Sequence, residues 1–162
     1  MATTLNQTFD LPYSSGRAVE LLTDTSFLGE LMTASGSLRP VVSVERSGNS
    51  TKVSIQREFE EQWPSLIAGL IGDSLMIRET RVWNAADANG EIDGTIEMEV
   101  HGQPVSMHGT IRVSPTAYGC TARISGEIKA RVPFIGGMVE KIVLEQIEEG
   151  IKLEAAVLAT QA

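Results

Sequence analysis

The sequence predicts an α+β fold: a curled antiparallel sheet of about seven strands and one long C-terminal helix. Two observations carry this. From residue 38 to 131 the chain reads as strand after strand, and the closing stretch "PFIGGMVEKIVLEQIEEGIKLEAAVLATQ" is the only long helical segment. A third observation, the spacing of the Gly-containing turns, sets how neighbouring strands pair.

Residues 4–11 form a first short strand carrying Leu5, Phe9 and Leu11. "PYSSGRAVELLTDTSFLGELM" then turns helical, with Ser14 or Ser15 as cap and an apolar stripe of Ala18, Leu21, Leu22 and Leu28. "SGNS" at 47–50 closes a hairpin that sets Val44 against Val53, Val42 against Ile55 and Glu45 against Lys52. "PSLIAGLIGD" at 64–73 reads as a loop or a single helical turn. "HGQP" offers a two-residue turn at Gly102–Gln103. It pairs Val100 with Val105, Met98 with Met107, Ile96 with Gly109 and Ile92 with Val113 on one face. Glu97–His108, Thr95–Thr110 and Asp93–Arg112 fall on the other, so one register yields an apolar face and a complementary polar one. In the last helix Pro133 is expected in the first turn, and Glu148 with Lys152 forms a favourable i,i+4 pair.

The strand "MIRETRVWN" at 76–84 is unusual, because Arg78, Glu79 and Arg81 put charge on both of its faces. A turn at "DANG" places Trp83 across from Gly94, Arg81 across from Ile96, Glu79 across from Met98 and Arg78 across from Glu99. Trp83, Arg81, Glu79, Ile77 and Leu75 therefore share the concave, apolar face, and by alternation Arg57 and Phe59 face inward too. That face also carries Gly94, Gly109, Gly126, Ala122 and Ala130, with Met98, Met107, Ile124 and, from the helix, Met138. Small residues leave room and methionine lines adaptable apolar surfaces. With Arg57, Glu79 and Arg81 they describe a mostly apolar cavity holding a few polar groups, the usual make-up of a small-molecule site. The plainer alternatives are that inward glycines mark strand bends, and that the charges pair only with one another. Met138, Ile142 and Gln146 share one side of the helix, where they would roof the cavity, and Tyr118 is placed on the inner face near Cys120. Glu140, Lys141, Glu145, Glu148, Glu149 and Lys152 read as a solvated helix face.

The bulk numbers set bounds. The 162 residues suggest one domain spanning 1–162, with 42% hydrophobic and 21% charged residues. Thirteen basic against twenty-one acidic residues leave a net charge of −8, which disfavours nucleic acid and anionic membrane surfaces as non-specific partners. One cysteine, Cys120, excludes an internal disulfide. The start "MATTLNQTFD" lacks a secretory signal pattern and no apolar run reaches ~18 residues, so no integral membrane association and a cytoplasmic location are expected.

"FDLPYSSGRAVELLTD", the Trp-ending strand "RETRVW" and "VPFIGGMVEKIVLEQI" carry a resemblance to the START-like (SRPBCC) superfamily of polyketide cyclases, pollen-allergen proteins and lipid-transfer domains. The last stretch is most similar to an uncharacterised actinobacterial branch. The resemblance spans nearly the whole chain and implies the helix-grip fold, in which the sheet grips the last helix around a cavity. It implies no catalytic motif and no cofactor.

Chemistry beyond binding finds little footing. His101 and His108 fall on the outer face, where His108 opposite Glu97 reads as a surface pair, and no metal site is expected. HExxH, GxSxG, GxGxxG and phosphate-loop patterns are absent. Gly136 and Gly137 open a helix, where free amides attract anions, but such glycines more simply permit close packing. The leading expectation is binding or transport of a hydrophobic or amphipathic small molecule such as a lipid, isoprenoid or polyketide. Its ligand-binding residues would be Arg57, Glu79, Arg81, Trp83, Met98, Met107, Tyr118, Ile124, Met138 and Ile142. The alternatives are a cyclase- or hydrolase-type enzyme using Glu79 and Arg81, and a protein interaction module with a vestigial cavity.

Overall fold

The computed structural model describes residues 2–60 and 74–161. Strand β1 (Thr3–Leu11) leads into two helices, α1 (Ser15–Leu22) and α2 (Thr25–Ala34). Six strands follow: β2 (Leu38–Ser47), β3 (Ser50–Glu60), β4 (Ser74–Trp83), β5 (Ile92–Val100), β6 (Val105–Thr116) and β7 (Gly119–Ala130). The chain closes with α3 (Gly136–Ala159). All pairings are antiparallel, in the order β1-β7-β6-β5-β4-β3-β2. This is the expected α+β helix-grip architecture. The segment 64–73 falls outside the described residues, and so do the side chains of Phe59 and Leu75, whose expected inward placement is therefore not described.

The turns deliver the expected registers. Val44 faces Val53, Met98 faces Met107, Glu97 faces His108 and Glu79 faces Met98. Gly48 and Gly102 take φ of +59° and +75° in their turns, a region where a side chain would be strained. Alternation does the rest: Val53, Ile55, Ile96, Ile111, Val113 and Ile128 are buried on one face, while Lys52, Arg78, Glu97 and Arg112 lie on the other.

Helix starts follow local chemistry. Ser14 Oγ accepts from the Arg17 N–H at 3.1 Å, and Asp24 Oδ1 accepts from the Phe27 N–H at 2.9 Å. α3 begins later than expected. Phe134 adopts φ of +69° and the Ile135 N–H closes a tight turn onto the Pro133 carbonyl at 2.8 Å, so Pro133 precedes the helix instead of opening it. Gly136 is needed because a Cβ there would sit 2.7 Å from the Ala130 carbonyl oxygen; Gly137 has open space around it. No helix among the described residues is long and apolar enough to cross a membrane.

α3 packs chiefly on β1, β7 and α2. That one-sided seating follows from its stripe of Val139, Val143, Ile151 and Leu158, all buried. Because the sheet curls away toward β3 and β4, the other flank of α3 stands off and leaves a space.

Candidate functional site

The space is a cavity of about 310 Å³ between the sheet and α3. Leu5, Ile96, Met98, Met107, Ile124 and the helix residue Val143 contribute apolar walls. Arg57, Glu79, Arg81 and Glu154 form its buried polar side, and Glu99 and Glu149 also belong to its lining. The inward glycines do not make this room. Gly109 and Gly126 face each other where a Cβ would meet backbone at 2.2 and 2.6 Å, and Gly94 makes way for the Trp83 ring. They serve close approach of neighbouring strands and side chains instead.

The polar cluster is built by register. Glu79 and Arg81, two apart on β4, project from the same face, and Arg57 on β3 stands opposite Ile77, diagonal to Glu79. Arg57 Nη2 donates to Glu79 Oε1 at 2.9 Å, and Arg81 Nε donates to Glu79 Oε2. Glu154, reaching down from α3, places Oε1 2.9 Å from Arg57 Nη2 and Oε2 3.8 Å from Arg81 Nη2. All four are buried, Glu79 most completely. Burial works to raise the Glu79 pKa, but the guanidiniums of Arg57 and Arg81 outweigh it and hold the carboxyl below its ordinary range. Burial likewise opposes the charge on Arg57, and Glu79 and Glu154 overcome it and raise its pKa. Two cations and two anions make the cluster electrically balanced.

The expected site residues divide. Arg57, Glu79, Arg81, Met98, Met107 and Ile124 line the cavity. Trp83 is 1% exposed but belongs to the core beside Gly94, and Ile142 packs half-buried against the core outside the cavity lining. Two placements are corrected. Tyr118 sits at the tip of the β6–β7 turn, beyond the last Thr116–Gly119 pair, so strand alternation never reaches it and it is 93% exposed. Met138, in the first turn of α3, points one residue off the Val139–Val143 stripe and lies in solvent. Gln146, on the helix side expected to roof the cavity, does line it.

Two helix carboxylates escaped the sequence reading. Glu140 was expected on a solvated face but is buried, accepting from the Ala130 N–H at 3.0 Å and the Thr3 hydroxyl at 2.8 Å. Burial pushes its pKa up, and these donors together pull it below the usual value. Glu154 had a readable signal: it stands three and seven residues past Ile151 and Ile147, on the apolar stripe.

Elsewhere the chemistry is sparse. His108 Nδ1 lies 3.6 Å from Glu97 on the outer face, both largely exposed. Cys120 is buried, and its thiol is pushed up by that burial and then by Asp10, which makes it a poor nucleophile. Among the described residues no group of three or more His, Cys, Asp or Glu converges as metal ligands would.

A family described as "Protein of unknown function (DUF2505)" matches residues 6–161, and the chain belongs to that family. An uncharacterized protein of Mycobacterium tuberculosis is 26% identical over 109 residues, covering 66% of this chain and 62% of that protein, so less than two thirds of the relative's length is matched. Among solved structures, a START superfamily protein from Mycobacterium smegmatis superposes with a TM-score of 0.58 at 12% identity, covering 100% of both chains. Norcoclaurine synthase from Thalictrum flavum, in complex with dopamine and hydroxybenzaldehyde, gives 0.57 at 13% identity, covering 100% of this chain and 89% of that one. At these identities the likeness establishes the START-like fold.

Proposed function

We propose that this DUF2505 protein binds a hydrophobic or amphipathic small molecule, lipid-, isoprenoid- or polyketide-like, between its sheet and α3. The observation that carries the reading is a cavity of about 310 Å³ with apolar walls and a buried, charge-balanced cluster of Arg57, Glu79, Arg81 and Glu154 on one side. Its size lies at the lower end of the ~300–1,000 Å³ typical of ligand pockets. An acidic head group would be received by Arg57 and Arg81 in place of Glu154, whose 3.8 Å contact with Arg81 is the loosest in the cluster, while Glu79 keeps the guanidiniums in position. A cyclase or hydrolase would need Glu79 as a base. Held ionised between two arginines, it is too weakly basic for that role.

Native mass spectrometry of protein purified from its own host, followed by solvent extraction, tests the reading. A co-purifying apolar or amphipathic molecule is the expected result. Protein that arrives empty and also takes up no anilinonaphthalene sulfonate would overturn it.

A further inference from the structure

We propose that the turn between β7 and α3 docks on an anionic lipid surface, with Phe134 and Met138 entering the interface and Arg131 and Lys141 meeting the head groups. Phe134 is wholly exposed, at 106% of its reference area, and Met138 is 53% exposed four residues later. The exposure is built in. An apolar residue just before a helix cap ordinarily folds back onto the fourth helical residue. Here Ile135 is the cap and Val139 is the fourth residue, yet Val139 is 1% exposed in the core while φ of +69° turns Phe134 away from it. A left-handed backbone at an aromatic residue is costly and tends to persist where function requires it.

Charge complementarity selects the occupant. The net charge of −8 is not spread evenly: residues 129–141 hold three basic residues against one acidic, in a chain of 13 against 21. The one acidic residue, Glu140, turns its carboxylate inward to the Ala130 N–H and the Thr3 hydroxyl. Arg131 and Lys141 are exposed on either side of the apolar pair, and the first turn of α3 has no side-chain cap to neutralise its amides. Apolar side chains framed by cations are the make-up of a surface that lies on anionic bilayers. The patch also stands at one end of the cavity. The Arg131 N–H donates to the Pro104 carbonyl at 2.8 Å, and Ala130 pairs with the cavity-lining Val105. Its use as a loading point rests on the binding reading above; the docking itself does not.

Co-sedimentation of the full chain with vesicles of phosphatidylcholine, with and without phosphatidylglycerol, tests the proposal. Binding is expected to the anionic vesicles alone and to weaken with salt. Phe134→Gly relieves the strained backbone, so it should fold normally and bind about ten-fold less well. Arg131→Gln and Lys141→Gln should each cost about five-fold. Tyr118→Ala, an equally exposed aromatic at the opposite end of the sheet, should change nothing. Vesicle binding that Phe134→Gly leaves intact would overturn the proposal. So would absence of pelleting, or self-association in sedimentation velocity that depends on Phe134 without vesicle binding, which would assign the patch to a second copy. Dye uptake by the same proteins separates the two readings: if uptake fails while vesicles still bind, only the cavity reading falls.

Discussion

The two flanks of α3 handle buried polarity in opposite ways. Toward β1 and β7 the helix is held by uncharged donors. Glu140 takes the Ala130 N–H and the Thr3 hydroxyl, Glu148 accepts from Gln7 Nε2 at 2.7 Å, and the Leu158 carbonyl accepts from the Tyr13 hydroxyl at 2.7 Å. Burial, then Cys120, pushes the Tyr13 pKa up to about 12, so that hydroxyl remains a donor throughout the working range. Toward β3 and β4 the helix offers Glu154 to two arginines across the edge of a cavity. The first flank is close-packed and each polar group has a local partner, which is how a helix is fastened. The second buries four full charges, an arrangement that is a weak source of stability and that well-packed apolar residues would often match. Charge kept there beside open volume points to use, whereas on the packed flank it points to construction.

The strongest way to break this contrast is Glu79→Gln. It leaves two buried guanidiniums with one carboxylate and should cost about 3–5 kcal/mol in urea denaturation. A loss below about 1 kcal/mol would mean that water or rearrangement already shields the cluster. Glu140→Gln should cost about 1–3 kcal/mol by weakening charge-assisted hydrogen bonds, while leaving dye uptake by the cavity unchanged. Its cost should also depend on pH. The folded pKa of Glu140 lies below the ordinary 4.5, so its contribution is present above that value and fades as pH falls through the folded pKa. Melting curves of wild type and Glu140→Gln should therefore converge in acid; parallel curves would remove Glu140 as a source of acid lability.

Glu154→Gln sharpens the comparison from the other side. It should reduce stability by about 1 kcal/mol yet tighten binding of a fatty-acid probe, because the competing carboxylate is gone. Weaker binding would show that Glu154 positions the arginines instead of competing with the ligand. The smallest effect is expected for Phe134→Gly, a rise of about 1 kcal/mol, since the exposed ring contributes no burial and glycine accepts the left-handed backbone. A fall in stability would mean that the ring packs in solution.

Strand faces and registers were legible because a period of two residues is rigid. Once Gly102–Gln103 and the "DANG" turn fix the pairing, the inward aim of Glu79 and Arg81 follows without further information. Tyr118 departs from its expected place for the same reason, because alternation ends at the last paired residue and does not extend into the turn. Helix faces were less legible. A helix meets its surroundings through a broad stripe, and one residue of rotation, about 100°, separates Met138 in solvent from Val139 in the core.

The sheet, its order of hairpins, the long last helix and the gathering of Arg57, Glu79 and Arg81 on the concave face are all written in the sequence. Those depend on local periodicity and turn chemistry. That Glu154 completes the cluster, that Glu140 is a buried fastening and that Phe134 is turned out into water emerge only from packing in three dimensions. Each of these depends on how α3 is rotated and seated over strands that are distant in the sequence or lie just before it. Burial of a charge is settled by the partner it meets across that interface, and periodicity along one element carries no record of the partner.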